Sequence, residues 1–388
     1  MKKTVLFFVL ATVVVLSIIT GCKSNPPSAP GAIATNTPNG TETYIALYTR
    51  TITPTHTVSP TTTATPSITN TVTITQTATV TATASTTATI TETSTATVTA
   101  TSTSTVDSSA LVSVTGGTFT QTDTSANSFS HTISTFKIGK YEVTYELWYT
   151  VYQWAIANGY TFAYAGSEGI YGTIGAAPTA AKYQPVTSVN CRDVIVWCNA
   201  YSEMSSLTPA YCSNASYITP IKISTNYSVI ETAPGTVDNP YVNWSANGYR
   251  LPTEGEWQYA ASYIDGTSWT PYNYASGATA DYTNVTATGL VAWYNANCSS
   301  TQAVGGKTAN ALGIYDMSGN VYEWCWDWYG TYPGTSTDYR GPVSGSVRVM
   351  RGGNFDGFAS YLQVGNRNTA ANPCSAFGSS GFRFARTN

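Results

Sequence analysis

The sequence predicts an α+β domain with short strands, two main helices and long irregular loops, which follows a disordered stalk. Composition separates the two parts: Thr, with Ser, Pro, Ala and Val, dominates up to residue 107, and Trp, Tyr and Gly become frequent from residue 108. Two segments with helical spacing stand out in the second part, whose other apolar runs are short and interrupted by Gly and Asn. Its roughly 280 residues are ample for one buried core.

The N-terminus, MKKTVLFFVLATVVVLSIITGC, has the pattern of a secretion signal. Two lysines precede an apolar run from Val5 to Ile19, which is short for the alternative, a transmembrane helix. Small residues directly before Cys22 resemble the bacterial lipobox and favour cleavage. We therefore predict a signal peptide at 1–21 and lipidation of Cys22. Because Lys23 follows it, and not the Asp that favours inner-membrane retention, we expect display at the outer membrane or cell surface.

Residues 22–107 contain stretches such as TPTHTVSPTTTATPSITNTVTITQTATV and lack a cluster of large aromatic residues, so they cannot bury a core. Alternation of Thr with Val could form a strand, but Pro54, Pro60 and Pro66 interrupt its first half. We expect an extended stalk, open to glycosylation, that holds residues 108–388 away from the membrane.

Composition excludes several classes of function. A net charge of −3, with 10% charged residues, argues against a nucleic-acid partner. His56 and His131 are the only histidines, too few for a His-based metal site and a poor basis for a Ser-His-Asp triad. Outside the cytoplasm disulfides are permitted, but their pairing cannot be deduced from sequence. The cysteines after Cys22 are Cys191, Cys198, Cys212, Cys298, Cys325 and Cys374.

The two helices have recognisable starts and buried faces. Thr144 can cap the first helix, which we expect Gly159 to end, and Asn190 can cap the second. The residues expected to be buried are Leu147, Val151 and Trp154 in the first helix, and Val194, Trp197 or Cys198, and Tyr201 in the second. In RLPTEGEW, Thr253 can cap a further helix and Glu256 completes a capping box. Trp257 and Tyr259 should then face inward or line a cleft.

Five short stretches occur in a fixed order: GGTF (116–119), FKIGKYEVT (136–144), YRLPTEGEWQYAA (249–261), GIYDMSGNVYEWCWDW (313–328) and RVMRGG…GFRFAR (348–386). Together they resemble the sulfatase-modifying-factor family, whose founding members are formylglycine-generating enzymes. The resemblance covers residues from about 110 to 388. It implies an elaborated C-type-lectin-like fold.

The stretch YDMSGNVYEW is the best candidate for an ion site, because calcium prefers carboxylate and carbonyl oxygens from a tight loop. The resemblance implies a structural calcium ion held by the side chains of Asp316 and Glu323 and the carbonyls of Gly319 and Val321. The alternative is that the two carboxylates only cap turns.

The resemblance also implies a catalytic pair of cysteines, five residues apart, shortly after Arg-Gly-Gly. That pair binds copper and activates oxygen, and copper(I) needs soft thiolates. In this sequence the two positions fall at Gly357 and Leu362, whose side chains have no ligand atom. We therefore expect neither copper nor the enzymatic activity of the family.

The last segment, about 348–388, begins with RVMRGG and ends with GFRFAR, both of which we expect to be rigid. The apolar residues between them follow neither helical nor strand periodicity. Its pattern resembles treponemal variable proteins of the same fold, in which a retroelement rewrites Asn codons at adenines and cannot produce Lys, Glu, Gln, Met or Trp. From Arg351 to Asn388 there is no Lys, Glu, Met or Trp, and the one Gln is Gln363. We assign Gln363 to a buried frame with Val364, Arg367, Pro373 and GFRFAR. In that frame Phe382 lies in the core, and Arg351 and Arg383 form internal hydrogen bonds.

The remaining positions of this segment are expected to contact a protein or glycan ligand, with aromatic side chains supplying area and small polar ones adaptable contacts. These candidate contacts are Asp356, Phe358, Tyr361, Asn366, Asn368, Thr369, Ala371, Ser375 and Phe377. The predicted function is a surface-displayed binding lipoprotein. The alternatives are a loop with no ligand, a divergent formylglycine-generating oxidoreductase and a calcium-dependent lectin.

Overall fold

The computed structural model describes residues 106–224, 229–368 and 372–387, together with the backbone of five strands between Ala11 and Thr101. The chain divides into two units, Met1–Ser102 and Thr103–Asn388. Cys22 and most of the predicted signal peptide lie outside the described residues.

The first unit contains strand backbone. Its strands are β1 (Ala11–Thr20), β2 (Ile33–Asn36), β3 (Glu42–Ile52), β4 (Thr71–Val80) and β5 (Glu92–Thr101). Strand β3 pairs antiparallel with both β1 and β2, and β4 pairs antiparallel with β5. Strand β1 lies in the predicted signal peptide and the other four lie in the predicted stalk. In β4 and β5 Thr alternates mostly with Val, Ile or Ala, a pattern well suited to strand backbone. The role of this part as a stalk stays a prediction.

The second unit is a mixed α+β fold of short elements, as predicted. In chain order they are β6 (Leu111–Val114), β7 (Gly117–Thr122), β8 (Ser128–Ile133), β9 (Phe136–Gly139), α1 (Tyr145–Ala157), β10 (Ser167–Glu168), β11 (Val186–Thr187), α2 (Cys191–Met204), β12 (Tyr211–Cys212), β13 (Tyr241–Val242), β14 (Tyr249–Arg250), α3 (Glu254–Ser262), α4 (Val285–Val291), β15 (Tyr322–Trp328), β16 (Ser336–Thr337), β17 (Arg348–Arg351), a 3₁₀ turn (Ala359–Tyr361), β18 (Ser380–Gly381) and β19 (Ala385–Thr387).

Three sheets carry most of this unit, in the strand orders β14-β19-β9-β6, β17-β15-β18 and β16-β8-β7. Strand β15 pairs antiparallel with β17 on one side and parallel with β18 on the other. The last strand, β19, lies between β14 and β9. Both ends of the C-terminal segment are therefore built into sheets, while its middle is not.

Helix α1 begins and ends where predicted, but its buried face is rotated. The Thr144 hydroxyl accepts a hydrogen bond from the Leu147 N–H at 3.3 Å, and Gly159 follows the helix with φ of +82°. Leu147 and Trp154 are only half-buried, whereas Trp148 is completely buried. The rings of Trp148 and Trp197 stack at 5.8 Å, so the partner helix selects the face that is covered. The buried residues of α1 are Tyr145, Trp148, Val151 and Ala155.

Helices α2 and α3 confirm their predicted starts. Asn190 and Asp193 form a capping box at α2, and Thr253 and Glu256 form one at α3. The expected buried residues of α2 are all buried, including both Trp197 and Cys198, because this helix is surrounded by protein from Cys191 to Ser202. In α3, Trp257 and Tyr259 face inward. The seven-residue helix α4 has no counterpart in the sequence prediction.

Among the described residues, three hydrophobic clusters form the core, and each contains residues of the C-terminal segment, the smallest of them Leu362. The first, between α1 and α2, contains Phe382 and Phe384, and Phe382 meets the Trp197 ring edge-on at 5.2 Å. The second surrounds Trp257 and contains Val364. The prediction that Phe382 belongs to the core is confirmed.

Within the described ranges the six cysteines are free thiols, and none forms a disulfide. The same ranges contain no helix whose length and apolarity would let it cross a bilayer.

Candidate functional site

The C-terminal segment is anchored at its start by Arg351, whose side chain is completely buried. Its guanidinium donates to Oε1 of Gln258 on α3 at 2.6 Å and to the carbonyl of Asn366. It lies 5.1 Å from the centre of the Trp257 ring. The predicted internal hydrogen bonds of Arg351 are present, and they tie the segment to a helix and to itself.

The far end is anchored by Arg383. Its Nε and Nη2 donate to the two carboxylate oxygens of Glu323 at 2.7 and 2.6 Å, and both side chains are fully buried. The remaining donors reach the carbonyls of Gly139 and Tyr315, each at 3.0 Å. A forked, charge-assisted pair of this kind fixes geometry as well as charge.

Arg367 anchors the middle of the segment. It binds both carboxylate oxygens of Glu254, at 2.5 and 2.8 Å, and donates to the Gly330 carbonyl at 3.0 Å. Its guanidinium lies between the rings of Tyr329 and Tyr332, 4.4 and 4.3 Å from their centres. Burial of Gln363, Val364 and Pro373 completes the frame that the sequence predicts.

Between these anchors, four of the candidate contact residues are exposed. Phe358 is 65% exposed, Tyr361 42% and Phe377 39%, and Asp356 is also exposed. The rings of Phe358 and Tyr361 lie 6.2 Å apart, so they form one continuous aromatic surface. Exposed aromatic groups next to a rigid, buried frame are an arrangement suited to binding.

The other candidate contacts are less accessible. Asn366, Asn368 and Ser375 are half-buried. The Asn368 backbone N–H donates to the Met350 carbonyl at 2.9 Å, and its side chain hydrogen-bonds the phenol of Tyr322. The backbone N–H and the side chain of Asn368 therefore both help to hold the segment in place. Thr369 and Ala371 lie outside the described residues.

Gly357 and Leu362, which stand where the resemblance places the copper-binding cysteines, pack against other parts of the fold. Leu362 is completely buried against α4 and Tyr294, and its carbonyl accepts from the Ser318 hydroxyl at 2.7 Å. The Gly357 carbonyl accepts from the Asn295 N–H at 3.3 Å. A thiol does lie near this loop, since Cys298 Sγ contacts the Phe355 carbonyl at 3.6 Å.

The predicted calcium ligands are brought near one another, but they are not equally available. Asp316 Oδ2 accepts from the Gly305 N–H at 2.7 Å, while its buried Oδ1 has no hydrogen-bond partner. Burial raises the pKa of Asp316 to about 6, against the effects of that N–H and of Arg383. Glu323 has both oxygens bound by Arg383 and one also by the Trp257 indole at 2.8 Å. Asp316 therefore has an oxygen available to bind a cation. Glu323 could bind one only if its hydrogen bonds to Arg383 were broken.

The two backbone ligands of that predicted ion lie in the same loop. Gly319 has φ of +86° and donates its N–H to the Gly352 carbonyl at 2.8 Å. Val321 is fully buried. No group of three or more Cys, His, Asp or Glu side chains within the described ranges is arranged to hold a metal ion. The calcium ion stays a prediction.

A third buried carboxylate, Glu142, belongs to this neighbourhood and was missed from the sequence. Its oxygens accept from the Asn320 amide at 2.6 Å and from the Val321 N–H at 3.1 Å. Burial, and next the nearby Asp316 and Glu323 charges, raise the pKa of Glu142 well above its usual range. The available signal was a Glu inside one of the five ordered stretches.

Tyr171 was missed for a different reason: it lies outside the C-terminal segment. Its side chain is 81% exposed, and its loop approaches Phe377, because Ile170 lies where a side chain on Gly378 would sit. A residue of the central part of the chain thus borders the candidate surface.

Comparison with known proteins identifies relatives of this fold. The model for the "Sulfatase-modifying factor enzyme 1-like domain" matches residues 95–388. Chaperone protein LppX of Paenibacillus barcinonensis is 33% identical over 263 residues, which cover 63% of this chain and 77% of that protein. The formylglycine-generating enzyme of Streptomyces coelicolor is 34% identical over 163 residues, 37% of this chain and about half (48%) of the enzyme. Among solved structures, Treponema denticola variable protein 1 aligns with a TM-score of 0.57 and 29% identity, covering 72% of this chain and 95% of that one.

Proposed function

Because the chain belongs to the sulfatase-modifying factor enzyme 1-like family and exposes the middle of its C-terminal segment on a buried frame, we propose that it is a ligand-binding lipoprotein displayed at the cell surface. Its ligand is a protein or glycan that contacts the exposed positions between Asp356 and Phe377. The family resemblance and the C-type-lectin-like fold that it implied are confirmed by the family match and by the structural neighbour.

One observation carries the proposal: within a few residues of this segment, exposed side chains stand next to completely buried ones. Phe358 and Tyr361 are open to solvent, while Leu362 and Val364 are completely buried. Substitution at the exposed positions changes the surface and leaves the core contacts intact. Large aromatic rings exposed side by side are typical of binding surfaces, because they supply much of the contact area in an interface.

Diversification by a retroelement is the finer part of the proposal. The similarity to Treponema denticola variable protein 1, which is matched over 95% of its length, supports it. The test is to sequence the 3′ end of the gene from many cells of one population. We expect substitutions at the codons of the exposed positions and none at those of Gln363, Arg367 and Phe382. A segment as invariant as RLPTEGEW would refute diversification.

We propose that the domain is not an enzyme, because Gly357 and Leu362 provide no copper ligand. Cys298 is a single thiol beside the loop and does not replace a pair. The competing candidate is a divergent oxidoreductase, favoured by the identity to the Streptomyces coelicolor enzyme. Incubation with a cysteine-containing peptide, copper and oxygen separates the two: we expect no formylglycine by mass spectrometry, and any catalytic turnover would establish the oxidoreductase.

The membrane partner of this proposal is a lipid anchor on Cys22 at the outer membrane or cell surface. The apolar run and the small residues before Cys22 support it. In cells supplied with labelled palmitate, the wild-type chain should incorporate label and fractionate with membranes. The Cys22→Ser variant should do neither, and a labelled variant would show that the anchor lies elsewhere.

A further inference from the structure

A groove outside the C-terminal segment combines four aromatic residues with one cation. It has a volume of about 390 Å³, in the lower range of pockets that hold small ligands. Its aromatic walls are Tyr241, Trp244, Trp326 and Trp328, and Arg340 is the one charged residue among those that line it. The lining runs from residue 234 to residue 343, so none of it comes from the exposed middle of the C-terminal segment, although Arg348 supports the Trp326 and Trp328 rings, 4.4 and 3.8 Å from their centres.

Arg340 is held in an orientation that leaves its hydrogen-bond donors available. Its guanidinium lies over the Trp244 ring, 4.1 Å from the centre. Stacking uses the flat face of a guanidinium, whereas its five N–H donors lie in the plane and point outward. Within the described ranges, no hydrogen bond or ion pair engages those donors. Burial lowers the pKa of Arg340, while the neighbouring Asp338 carboxylate acts in the opposite direction.

Further contacts hold the Trp244 ring in place. Arg250 lies 5.2 Å from the centre of the same ring, and its guanidinium is bound to both carboxylate oxygens of Glu256 at 2.7 Å. Trp244 also meets Trp326 edge-on at 5.8 Å. A fixed ring under Arg340 pre-organises its N–H fork, which reduces the entropy lost when a ligand binds.

The rest of the groove specifies the body of the ligand. Pro240, Pro342 and Val343 join the aromatic walls, and Val343 is 92% exposed. A planar carboxylate matches the geometry of an arginine fork better than a point anion does. Aromatic edges and proline rings favour a body with apolar C–H faces over a flexible polar one.

We propose that this groove binds a small carboxylate carried on a ring, such as a uronic acid sugar, with Arg340 holding the carboxylate and the tryptophan walls holding the ring. This site is additional to the C-terminal surface and stays constant when that surface changes. It gives the protein a fixed ligand class beside a variable one.

The test uses the purified full chain and a matched pair of ligands, methyl β-glucuronide and methyl β-glucoside, which differ in carrying a carboxylate or a hydroxymethyl group. Binding is followed by tryptophan fluorescence and by calorimetry at low ionic strength, where charge interactions are least screened. We expect saturable binding of the glucuronide and at least about tenfold weaker binding of the glucoside. Sodium benzoate serves as a third probe. If it binds more tightly than the glucuronide, the carboxylate site is confirmed and its ring is aromatic.

Arg340→Gln should weaken glucuronide binding at least about tenfold, because hydrogen bonds to a charged group are lost. The matched control is Arg386→Gln, since Arg386 also stacks on a ring, that of Tyr249 at 5.3 Å, but does not line the groove. Phe358→Ala is the second control, because it alters the C-terminal surface alone. Equal affinity in wild type and Arg340→Gln, or no saturable binding of any probe, would overturn the site whether or not the C-terminal surface binds its own ligand.

Discussion

Arg383 and Glu323 form a two-pronged ion pair, at 2.6 and 2.7 Å, that is fully buried and joins the last anchored residues of the chain to the central strand β15. Asp316 and Glu142 lie close enough for Arg383 to stabilise their charges as well. One buried guanidinium therefore compensates more than one carboxylate.

Replacing Arg383 should destabilise the fold severely. Arg383→Met leaves Glu323 buried without its cation, and breaking a buried pair in this way costs about 3–5 kcal/mol. The control is Lys182→Met, because the Lys182–Glu146 pair is about one-third exposed, at 36% and 37%, and solvent screens such a pair, so its loss should destabilise the fold far less. Urea unfolding measures both variants. Equal losses in the two would show that burial does not distinguish the pairs.

Stability should fall in mildly acidic solution because of His131. Burial lowers its pKa from 6.5 to about 4, and the ring is fixed as neutral by Gln121 Oε1 at Nδ1, 2.7 Å away, and by the Tyr339 N–H donating to Nε2 at 2.9 Å. The unfolded chain takes up a proton below pH 6.5, whereas the folded chain does not until about pH 4. The contribution of His131 is thus complete above pH 6.5 and is lost as pH falls towards 4, by at most roughly 3 kcal/mol.

The measurement is the free energy of unfolding at pH 7 and pH 5 in wild type and in His131→Gln. The variant should show a smaller fall between the two pH values, because Gln does not titrate. An identical fall in both proteins would assign the acid sensitivity to other groups.

Neighbouring positions of the C-terminal segment should respond in opposite ways to truncation. Phe358→Ala removes an exposed ring and should change the free energy of unfolding by less than about 0.5 kcal/mol. Leu362→Ala, four positions along, empties a fully buried site and should cost about 2–5 kcal/mol. Ligand binding should respond in the opposite order: Phe358→Ala should weaken it more than Leu362→Ala does. Both variants are measured at a temperature at which Leu362→Ala is still folded. A large loss of stability in Phe358→Ala would place that ring in the frame.

Calcium should stabilise the protein through Asp316 if the predicted ion is correct. Added calcium would raise the melting temperature by mass action, because the ion binds the folded chain alone. Asp316→Asn should abolish this response, and without calcium it should not be destabilising, since it removes a buried charge whose Oδ1 has no partner. Melting curves with calcium and with a chelator decide the matter. A wild-type curve indifferent to both would rule the ion out.

Local signals predicted the starts of the helices well. The capping residues Thr144, Asn190 and Thr253 are correct, because a cap and its N–H partners lie within three residues of each other. The buried face of α1 was not predictable to the residue. Trp148 is covered by Trp197 and by Phe382, which is distant in sequence. The periodicity of a helix does not show which tertiary neighbours will cover a residue at the border of its apolar face.

The frame of the candidate site was predictable, and its surroundings were not. Arg351, Arg367 and Arg383 stood out because arginines in an otherwise weakly charged segment need buried partners. Their partners, and residues such as Glu142 and Tyr171, come from elsewhere in the chain. The sequence around them does not show which residues of the C-terminal half they approach.

The C-terminal segment leaves strand β17 and returns at strand β18, and both pair with β15. Its two ends are therefore clamped about 10 Å apart, on either side of one strand. For a loop with fixed ends, closure entropy grows only with the logarithm of length, so a doubling costs about 0.6 kcal/mol. Within residues 352–379, the exposed positions between the anchors can therefore accept insertions as well as substitutions, provided that Leu362, Val364 and Arg367 keep their buried contacts. The domain is suited to serve as an engineered display scaffold, in which foreign peptides are inserted at the exposed positions around Phe358 and the buried frame is kept.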